Sequence, residues 1–378
     1  MAPRCRSIPK SLLLLRRENS GLLVMLNKEL ILIADFFGSI KKRGIPAYVR
    51  DVDIIGRELC VVRTLRAPLW VGRLPDWAQN ILMVIHEQFV VPMYFLLLRP
   101  SVTIFPYNSC SFVLSLSRRV VCIVHDLIPY KSTHRKSKFS FCYVACTSAW
   151  HARLGRTFGV VSPYMMRVLQ SVPKFSRSRI VYIPNCFTSI EAEFSRSLVL
   201  NDDASDLRVL LVSGVGPNKD FNSALRMMSA LAKDSRLDKV EIDVVGFGDA
   251  SERAMKLIAD FGQAGMKLPE IRVHGLLPQE QLVRLFQASK VTWVHSRAEG
   301  FGRVVVEGRL AGRPVVMSRL PVFGALKDDW TYSYANDDVD EFCENMAAAI
   351  KLGGVSVPYS KIDRLKREAR SGLFKLLN

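Results

Sequence analysis

The chain lacks cysteine pairs with the spacing of a zinc site. Its 378 residues include eight cysteines, and none shows the Cys-x-x-Cys spacing of structural zinc sites. Cys142 and Cys146 are one helical turn apart, a spacing that favours packing in a core over metal ligation. A disulfide framework would need a higher cysteine density, so the sequence predicts a cytoplasmic protein with reduced thiols. The eight cysteines are Cys5, Cys60, Cys110, Cys122, Cys142, Cys146, Cys186 and Cys343.

Long uninterrupted apolar runs are also lacking. The most apolar window, Ile81–Leu98, contains the polar residues 86–88 and Pro92. These interruptions predict a buried or interfacial helix and no transmembrane segment. Ser11–Leu15 is too short for the core of a signal peptide, and charged residues follow it at once.

Two other common motifs are incomplete. The Gly-x-Gly turns at 214–216 and 246–248 do not continue into the Gly-x-Gly-x-x-Gly fingerprint of dinucleotide-binding enzymes. Asp51 and Asp53 have the spacing of an Asp-x-Asp metal motif, but no third ligand type lies near them. They follow a predicted strand at Ala47–Arg50, where acidic turn residues are common. Neither an oxidoreductase nor a metal site is therefore favoured.

Positive charge is present, and it is unevenly distributed. The net charge is +18, with 28 Lys and Arg against 11 Asp and Glu in residues 1–200, and 25 against 24 in the remainder. A basic half of this size is typical of proteins that meet anionic lipid headgroups or nucleic acid. Each single basic cluster is equally consistent with a solvated face.

The first half alternates between predicted strands and helices. Residues 8–50 predict a strand at Ser11–Leu15, a loop with Gly21, and a long helix that ends at Gly44. In that helix Leu26, Leu30, Ile33, Phe37 and Ile40 form the core face. Gly21 either admits a ligand close to the backbone or serves only as a turn residue. Four later β-rich runs are predicted as parallel strands: Val102–Pro106, Val120–Val124, Thr157–Ser162 and Arg179–Pro184.

Candidate site residues follow these strands. His125 comes directly after the run Val120–Val124, at the strand end where ligand sites form in parallel sheets. Tyr107 and Asn108 follow the preceding strand in the same way. They are candidates to line the side of a site that would bind an acceptor molecule. Ser162 either contacts a ligand or caps the helix predicted from Pro163.

The second half begins a new α/β pattern after a polar linker at 191–207. A strand at Arg208–Ser213 leads into a glycine loop that contains Gly216 and ends at Lys219. A strand at Val240–Val245 leads into a second loop, with Gly246 and Gly248. A lysine at a glycine loop before a helix can offset the charge of a departing diphosphate, although an ordinary surface lysine is the simpler alternative.

The most informative stretch runs from residue 290 to residue 318. It predicts a strand (Lys290–Ser296), a Gly-Phe-Gly turn, a helix that Gly312 ends, and another strand from Pro314. Glu299 and Glu307 flank the turn, separated by roughly 7–8 Å along the helix axis at 1.5 Å per residue. The free N–H groups at the start of that helix favour a phosphate. Two carboxylates around a phosphate site would suit a nucleoside-diphosphate sugar.

This string resembles the carboxylate-x7-carboxylate signature of the retaining GT-B glycosyltransferases, in particular family 4. The resemblance implies an α/β fold with two Rossmann-like domains that face each other across a cleft, and a C-terminal helix that crosses back. It places an acceptor domain at 1–200, a nucleotide-sugar domain at 201–359 and the crossing helix at 360–378. It implies no metal or other cofactor. The family usually has Arg immediately before Lys219, where this chain has Asn218.

The resemblance also assigns roles to residues. It implies that His125, Lys219 and Glu299 are catalytic, with His125 contacting the transferred sugar, and that the acceptor side includes Gly21, Tyr107, Asn108 and Ser162. The implied donor-binding set comprises Gly216, Lys219, Gly246, Gly248, Gly300, Phe301, Gly302, Arg303 and Glu307.

The function that follows is retaining transfer of a hexose from a nucleotide sugar. The nearest resemblance is to mannosyltransferases of bacterial exopolysaccharide assembly, which implies GDP-mannose as donor and a polyprenyl-diphosphate-linked glycan as acceptor. With the basic first half, it predicts an anionic membrane surface as a partner, peripheral association with the inner face of the plasma membrane, and no nucleic acid. Two alternatives are a nucleotide-sugar-modifying enzyme such as an epimerase, and a non-catalytic basic protein that binds lipid or nucleic acid.

Overall fold

Two parallel six-stranded sheets form the framework of the protein. The computed structural model describes residues 29–41, 44–127, 138–196, 207–214 and 216–378. Short apolar runs make the strands, because a parallel sheet covered by helices is buried on both faces. The predicted α/β fold with two Rossmann-like domains is confirmed.

The first sheet has the strand order β2-β1-β3-β4-β5-β6, and every pair is parallel. The order reverses between β1 and β3, which makes that edge the switch point where ligands bind in such sheets. The strands are β1 Leu30–Ala34, β2 Val61–Leu65, β3 Val102–Phe105, β4 Val120–Val124, β5 Thr157–Val160 and β6 Ile180–Tyr182. The helices are α1 Ile45–Leu59, α2 Asp76–Ile85, α3 Val91–Leu98, α4 Lys138–Arg153, α5 Pro163–Ser171 and α6 Thr188–Arg196, with a π-helical turn at His86–Val90 between α2 and α3.

The second sheet has the order β12-β11-β10-β7-β8-β9, again all parallel. Its switch point lies between β7 and β10. The strands are β7 Leu207–Val212, β8 Val240–Val245, β9 Glu270–Val273, β10 Val291–Val294, β11 Val315–Ser318 and β12 Thr331–Tyr334. The helices are α7 Phe221–Leu231, α8 Ser251–Gln263, α9 Gln279–Ala288, α10 Arg303–Leu310, α11 Val339–Leu352 and α12 Tyr359–Leu377.

The C-terminal helix α12 crosses back to the first domain, as predicted. It packs against α1 and β6, and Gly372 lies so close to Tyr182 that a Cβ there would be 3.2 Å from the Tyr182 carbonyl carbon. A single apolar cluster contains residues of both sheets and of α12. The two domains therefore share part of their core. The boundaries at 200 and 359 stay predictions, since residues 197–206 lie outside the described chain.

Two elements near the N-terminus were predicted wrongly. Leu30–Ala34 is a strand and not part of a helix, because its apolar residues are buried on both sides of the sheet and imitate a helical spacing only by chance. Ala47–Arg50 lies in α1, which begins after Gly44 at a backbone φ of 67° and has proline in its first turn. The predicted strand Ser11–Leu15 and Gly21 lie outside the described residues.

The helix formed by α2, the π turn and α3 corrects a further prediction. Asp76–Leu98 is 23 residues long, and its most apolar 18-residue window has a mean hydropathy of 1.8. By length and composition alone, this helix could span a membrane. Only 22% of its most apolar window is buried. Of the predicted alternatives, a buried helix is therefore wrong. The polar interruptions that argued against a span turn inward, as His86 and Glu87 are both buried.

Cys142 and Cys146 were predicted to pack in a core, and this is wrong. Both are exposed on α4, because the helix turns Tyr143 and Val144 inward instead. All seven cysteines of the described chain are free thiols.

A buried carboxyl in the π turn predicts a measurable pH dependence of stability. Ser109 donates to Oε1 of Glu87 at 2.9 Å and Tyr143 donates to Oε2 at 2.7 Å. Burial raises the pKa of Glu87 from 4.5 to about 8. The folded protein therefore keeps this proton up to about pH 8, whereas the unfolded chain releases it near pH 4.5, so the group's contribution to stability falls as the pH rises between those values.

We expect Glu87→Gln to remove this loss, since glutamine fills the same space without a charge. The free energy of unfolding of the variant, relative to the parent protein, should rise by up to about 1.4 kcal/mol per pH unit between pH 5 and 8. Urea unfolding at pH 5, 6.5 and 8 measures it, with the exposed Glu252→Gln as control. A parent-to-variant difference that does not change with pH would contradict the assignment.

Candidate functional site

Lys219 and Glu299 meet at the switch point of the second sheet. Lys219 follows β7 and Glu299 follows β10, so adjacent strand ends bring together residues that lie 80 positions apart. The Lys219 ammonium forms an ion pair with Oε1 of Glu299 and lies 3.3 Å from the Ser296 hydroxyl. Ser296 in turn donates to Glu299 at 2.9 Å. The cation and the carboxylate of the predicted site thus face the same point.

The loops that carry this pair are fixed to each other. The Arg297 N–H donates to the Asn218 carbonyl at 2.7 Å, and the Arg297 guanidinium pairs with Asp220. Asp220 has a backbone φ of 36° and caps α7 by accepting from the Ser223 N–H. These contacts on both sides of Lys219 fix the backbone of the turn that carries it.

The Gly-Phe-Gly turn brings the two domains into contact. A Cβ on Gly300 would lie 2.6 Å from the carbonyl carbon of His125 and closer still to its oxygen. The Ser162 hydroxyl donates to the Gly300 carbonyl at 2.7 Å. Gly302 caps α10 with a φ of 93°, and a Cβ there would lie 2.9 Å from Cδ1 of Phe323 and closer still to Cε1. Only glycine fits either position without a shift of its neighbours.

His125 lies across the contact from this turn. Asn108 Oδ1 accepts from the His125 N–H at 2.7 Å, and the imidazole meets the Tyr48 ring edge-on at 4.8 Å between centroids. Burial lowers the pKa of His125 to about 3, against a hydrogen bond to the Pro106 carbonyl that raises it. The ring is therefore neutral at pH 7. Its buried Nε2 has no partner among the described residues and can accept a hydrogen bond.

Glu307 lines a cavity of about 220 Å³ between the domains. Arg303 lies beside it, with 3.4 Å between its Nε and the Glu307 carboxylate. The Arg303 side chain separates Glu307 from open solvent. Arg303 also donates to Asn185 Oδ1 at 2.7 Å and lies 3.3 Å from the buried Asp51. It therefore links the second domain to the first.

A second cavity, of about 230 Å³, contains Glu299. Its lining comes from both domains, with Asp126 and Tyr164 from the first and Arg297 from the second. Phe301 does not line either cavity. It is buried and packs 5.9 Å from the Phe187 ring of the first domain, which makes it a contact residue between the domains.

The remaining predicted donor glycines differ in their surroundings. Gly246 has a φ of 114°, and a Cβ there would overlap the backbone of Ser213. Gly248 has a φ of 54° and open space around it. A Cβ on Gly216 would meet only the Asn218 side chain. Gly246 thus allows the ends of β7 and β8 to approach closely, and the donor-binding roles of these glycines stay predictions.

The residues predicted for the acceptor side are mostly engaged within the protein. The Tyr107 hydroxyl donates to Asp35 at 2.6 Å and accepts from the Phe37 N–H at 3.2 Å. Asn108 is buried with a φ of 61°. Ser162 caps α5 through the Met165 N–H, as one of its two predicted alternatives required. Gly21 lies outside the described residues.

The sequence predictions missed Asp35 and gave Asp51 no role at the site. Asp35 directly follows β1 at the switch point of the first sheet and is fully buried. Burial raises its pKa, while Tyr107 and Arg66 act in the opposite direction. Asp51 accepts from the Ser189 N–H at 2.8 Å and from its hydroxyl at 2.7 Å. Recognition of Leu30–Ala34 as a strand would have identified Asp35.

No group of three or more His, Cys, Asp or Glu side chains in the described part of the chain is placed to hold a metal ion. Asp51 and Asp53, the pair with metal-like spacing, lie in α1. Asp53 pairs with Arg57 at 3.0 Å and accepts from Thr64 at 3.1 Å.

Solved structures share this fold over nearly the whole chain. Sucrose-phosphate synthase from Thermosynechococcus elongatus aligns with a TM-score of 0.61 at 16% identity, over 93% of this chain and 95% of its own. HepE from Anabaena, in complex with UDP and glucose, aligns with 0.57 at 16%, over 92% and 95%. The UDP-forming trehalose-phosphate synthase of Burkholderia xenovorans, in complex with glucose-6-phosphate, gives 0.57 at 13%, over 92% and 96%.

The sequence comparison finds one family match, within the second domain. Residues 206–351 match the model of the family described as Glycosyl transferases group 1. No curated protein sequence matches the chain. The family match and the shared architecture support a glycosyltransferase of the GT-B fold.

Proposed function

We propose that the protein transfers a hexose from a nucleoside-diphosphate sugar, with retention of anomeric configuration, to a lipid-linked oligosaccharide. The observation that carries this proposal is the Lys219–Glu299 pair, which lies at a switch point beside the glycine turn. Our first candidate donor is GDP-mannose, and the first candidate acceptor is a polyprenyl-diphosphate-linked glycan at the inner face of the plasma membrane. No metal or other cofactor is required.

Charge at the site accounts for departure of the diphosphate. The Lys219 ammonium and the free N–H groups at the start of α10 offset negative charge that develops on the leaving group. Lys219 and Glu299 form an ion pair. Binding of the diphosphate therefore redirects the ammonium and frees the carboxylate to accept from sugar hydroxyls.

Two further groups orient the donor. The neutral His125 ring accepts a hydrogen bond from the sugar through Nε2, which has no partner among the described residues. Glu307 accepts from the ribose diol in the cavity of about 220 Å³. No side chain acts as a covalent nucleophile, because the diphosphate leaves from the face that the acceptor attacks. Asn218 occupies the usual arginine position, so Lys219 carries more of the charge stabilisation.

A second candidate donor is UDP-glucose. HepE shares the fold and is solved with UDP and glucose, but at 16% identity this likeness extends to the fold alone. The base and the sugar therefore have to be determined directly.

A screen of radiolabelled GDP-, UDP- and ADP-sugars against a membrane-lipid extract tests the proposal. We expect one donor to label the lipid fraction and to show no turnover when lipid is omitted. The anomeric configuration of the new glycosidic bond should be the same as that of the donor. Conversion of the free nucleotide sugar without acceptor would favour an epimerase-like enzyme. Binding without any turnover would favour a non-catalytic protein.

A further inference from the structure

The outer face of the helix Asp76–Leu98 is apolar and open to solvent. Its exposed side chains recur mostly every fourth residue, which places them along one side of a helix. Phe89, Leu96 and Leu97 have 70%, 73% and 70% of their surface exposed. Soluble proteins rarely leave contiguous apolar surface of this kind uncovered. We call this surface the apolar helix face, and its members are Trp77, Ile81, Ile85, Phe89, Met93, Leu96 and Leu97.

The apolar helix face carries no charge. Between Asp76 and Arg99 the only charged residue is Glu87, and it is fully buried. The π turn at His86–Val90 rotates the polar residues of the helix inward. There Gln88 donates to the Tyr143 hydroxyl at 2.7 Å. One side of the helix is therefore tied to the first domain and the other is free.

The apolar surface continues onto the loop before β4. The Phe112 N–H donates to Gln88 Oε1 at 3.0 Å, so this loop lies directly beside the helix. Phe112, Val113 and Leu116 are 39%, 63% and 59% exposed. The Trp150 indole donates to the Phe112 carbonyl at 3.1 Å, which fixes the loop in place.

Basic side chains surround this surface. Arg73 and Arg99 are exposed just outside the two ends of the helix. Arg118 and Arg119 are exposed immediately after Leu116. An apolar face with a cationic border is complementary to a bilayer that contains anionic lipid, since Lys and Arg side chains near such a surface are attracted to its negative charge.

We propose that the apolar helix face docks on an anionic bilayer surface, with the helix parallel to the membrane plane. The side chains of the face enter the boundary between headgroups and acyl chains, and the four arginines contact lipid phosphates. The helix does not cross the bilayer, because its inner side is hydrogen-bonded to the first domain and buries a carboxyl. The role of this surface rests on the proposed lipid-linked acceptor. The geometry of the surface does not depend on that proposal.

Vesicle binding by the full chain tests the docking surface. We expect co-sedimentation with vesicles of phosphatidylcholine and phosphatidylglycerol, and at least tenfold weaker binding to phosphatidylcholine alone. The triple variant Phe89→Gln, Leu96→Gln, Leu97→Gln should lose at least tenfold in affinity for the anionic vesicles. The matched control, Met255→Gln with Leu276→Gln, removes apolar side chains of the second domain that are 52% and 77% exposed and should bind like the parent protein.

Tryptophan fluorescence gives the orientation. Trp77 is 67% exposed on the apolar helix face, so lipids brominated near the headgroup should quench it more than lipids brominated at the chain end. Equal vesicle binding by the triple variant would overturn the proposal. If alkaline carbonate does not extract the bound protein from the vesicles, the helix spans the bilayer and the proposal is wrong. The proposal is also wrong if the parent protein binds no vesicles and forms a dimer that the triple variant converts to a monomer.

Activity separates this inference from the proposed function. With acceptor dissolved in detergent, the triple variant should transfer sugar at the parental rate, because the helix face is not part of the site. If the parent protein binds vesicles but neither it nor the triple variant transfers sugar, the proposed function alone is overturned. Transfer by the parent protein without vesicle binding would overturn the docking surface alone.

Discussion

Lys219→Ala is expected to lower kcat for glycosyl transfer by about 10²–10³-fold, the usual cost of removing one preorganised group that stabilises developing charge. The ammonium lies between Glu299 and Ser296 at the start of the leaving-group site. Without it, the N-terminal end of α10 has to offset more of the diphosphate charge. The Asn218 position supplies no second cation. Steady-state kinetics with the donor found in the screen measure the effect.

The matched control is Lys233→Ala. Lys233 is an exposed lysine of the same domain, and its removal changes the net charge equally. We expect the control to retain the parental kcat. Equal losses in both variants would mean that net charge, and not the position of Lys219, supports the reaction. Unchanged melting temperature of Lys219→Ala would show that the loss is not one of folding.

Gly300→Ala should lower kcat/KM by at least about 10²-fold through the separation of the two domains. A Cβ at this position would lie 2.6 Å from the carbonyl carbon of His125 and 3.0 Å from Cβ of Asp126. Neither atom is the flexible end of a side chain, so the domains must move apart. Displacement of reacting groups by about 1 Å can cost a factor of 10². The nucleotide-binding side, which is built mainly from the second domain, should keep its affinity for the nucleoside diphosphate to within a few-fold.

The control for this prediction is Gly324→Ala. A Cβ on Gly324 meets nothing within 4 Å, and the residue lies in a nearby short helix at Pro321–Leu326. It should behave like the parent protein in both assays. A fully active Gly300→Ala protein would mean that the approach of Gly300 to His125 is not needed for transfer. Calorimetric titration with the nucleoside diphosphate separates lost binding from lost turnover.

Four strands of the second domain could be predicted from the sequence. They are short β-branched runs, and β8 occupies the predicted residues Val240–Val245. Glu299 meets Lys219, because parallel strands bring their carboxyl ends to one edge. Local pattern and topology agreed there.

The first domain was harder to predict because its signals conflict. The residues of Leu30–Ala34 have both the spacing of a helix face and the composition of a buried strand, and only the pairing with β2 and β3 decides between them. This error hid Asp35. Likewise, contacts such as Arg303 with Asp51 join residues 252 positions apart. A local sequence pattern does not predict how one domain packs against the other.

For Asp76–Leu98 the sequence left a buried and an interfacial helix open, for a different reason. His86, Glu87 and Pro92 made the segment look interrupted, yet the π turn buries the first two residues and leaves the outer side apolar. A linear window of hydropathy counts polar residues without regard to the side on which they lie. The direction of each side chain requires the structure.

Transfer of labelled sugar from the active donor to membrane lipid, compared among Lys219→Ala, Glu299→Ala and His125→Ala, tests the central claim most directly. We predict that each variant folds like the parent protein and transfers below about 1% of its rate, in line with losses of 10²–10³-fold for groups that stabilise a transition state. Parental transfer rates in all three variants would contradict the claim that Lys219, Glu299 and His125 form the site of glycosyl transfer.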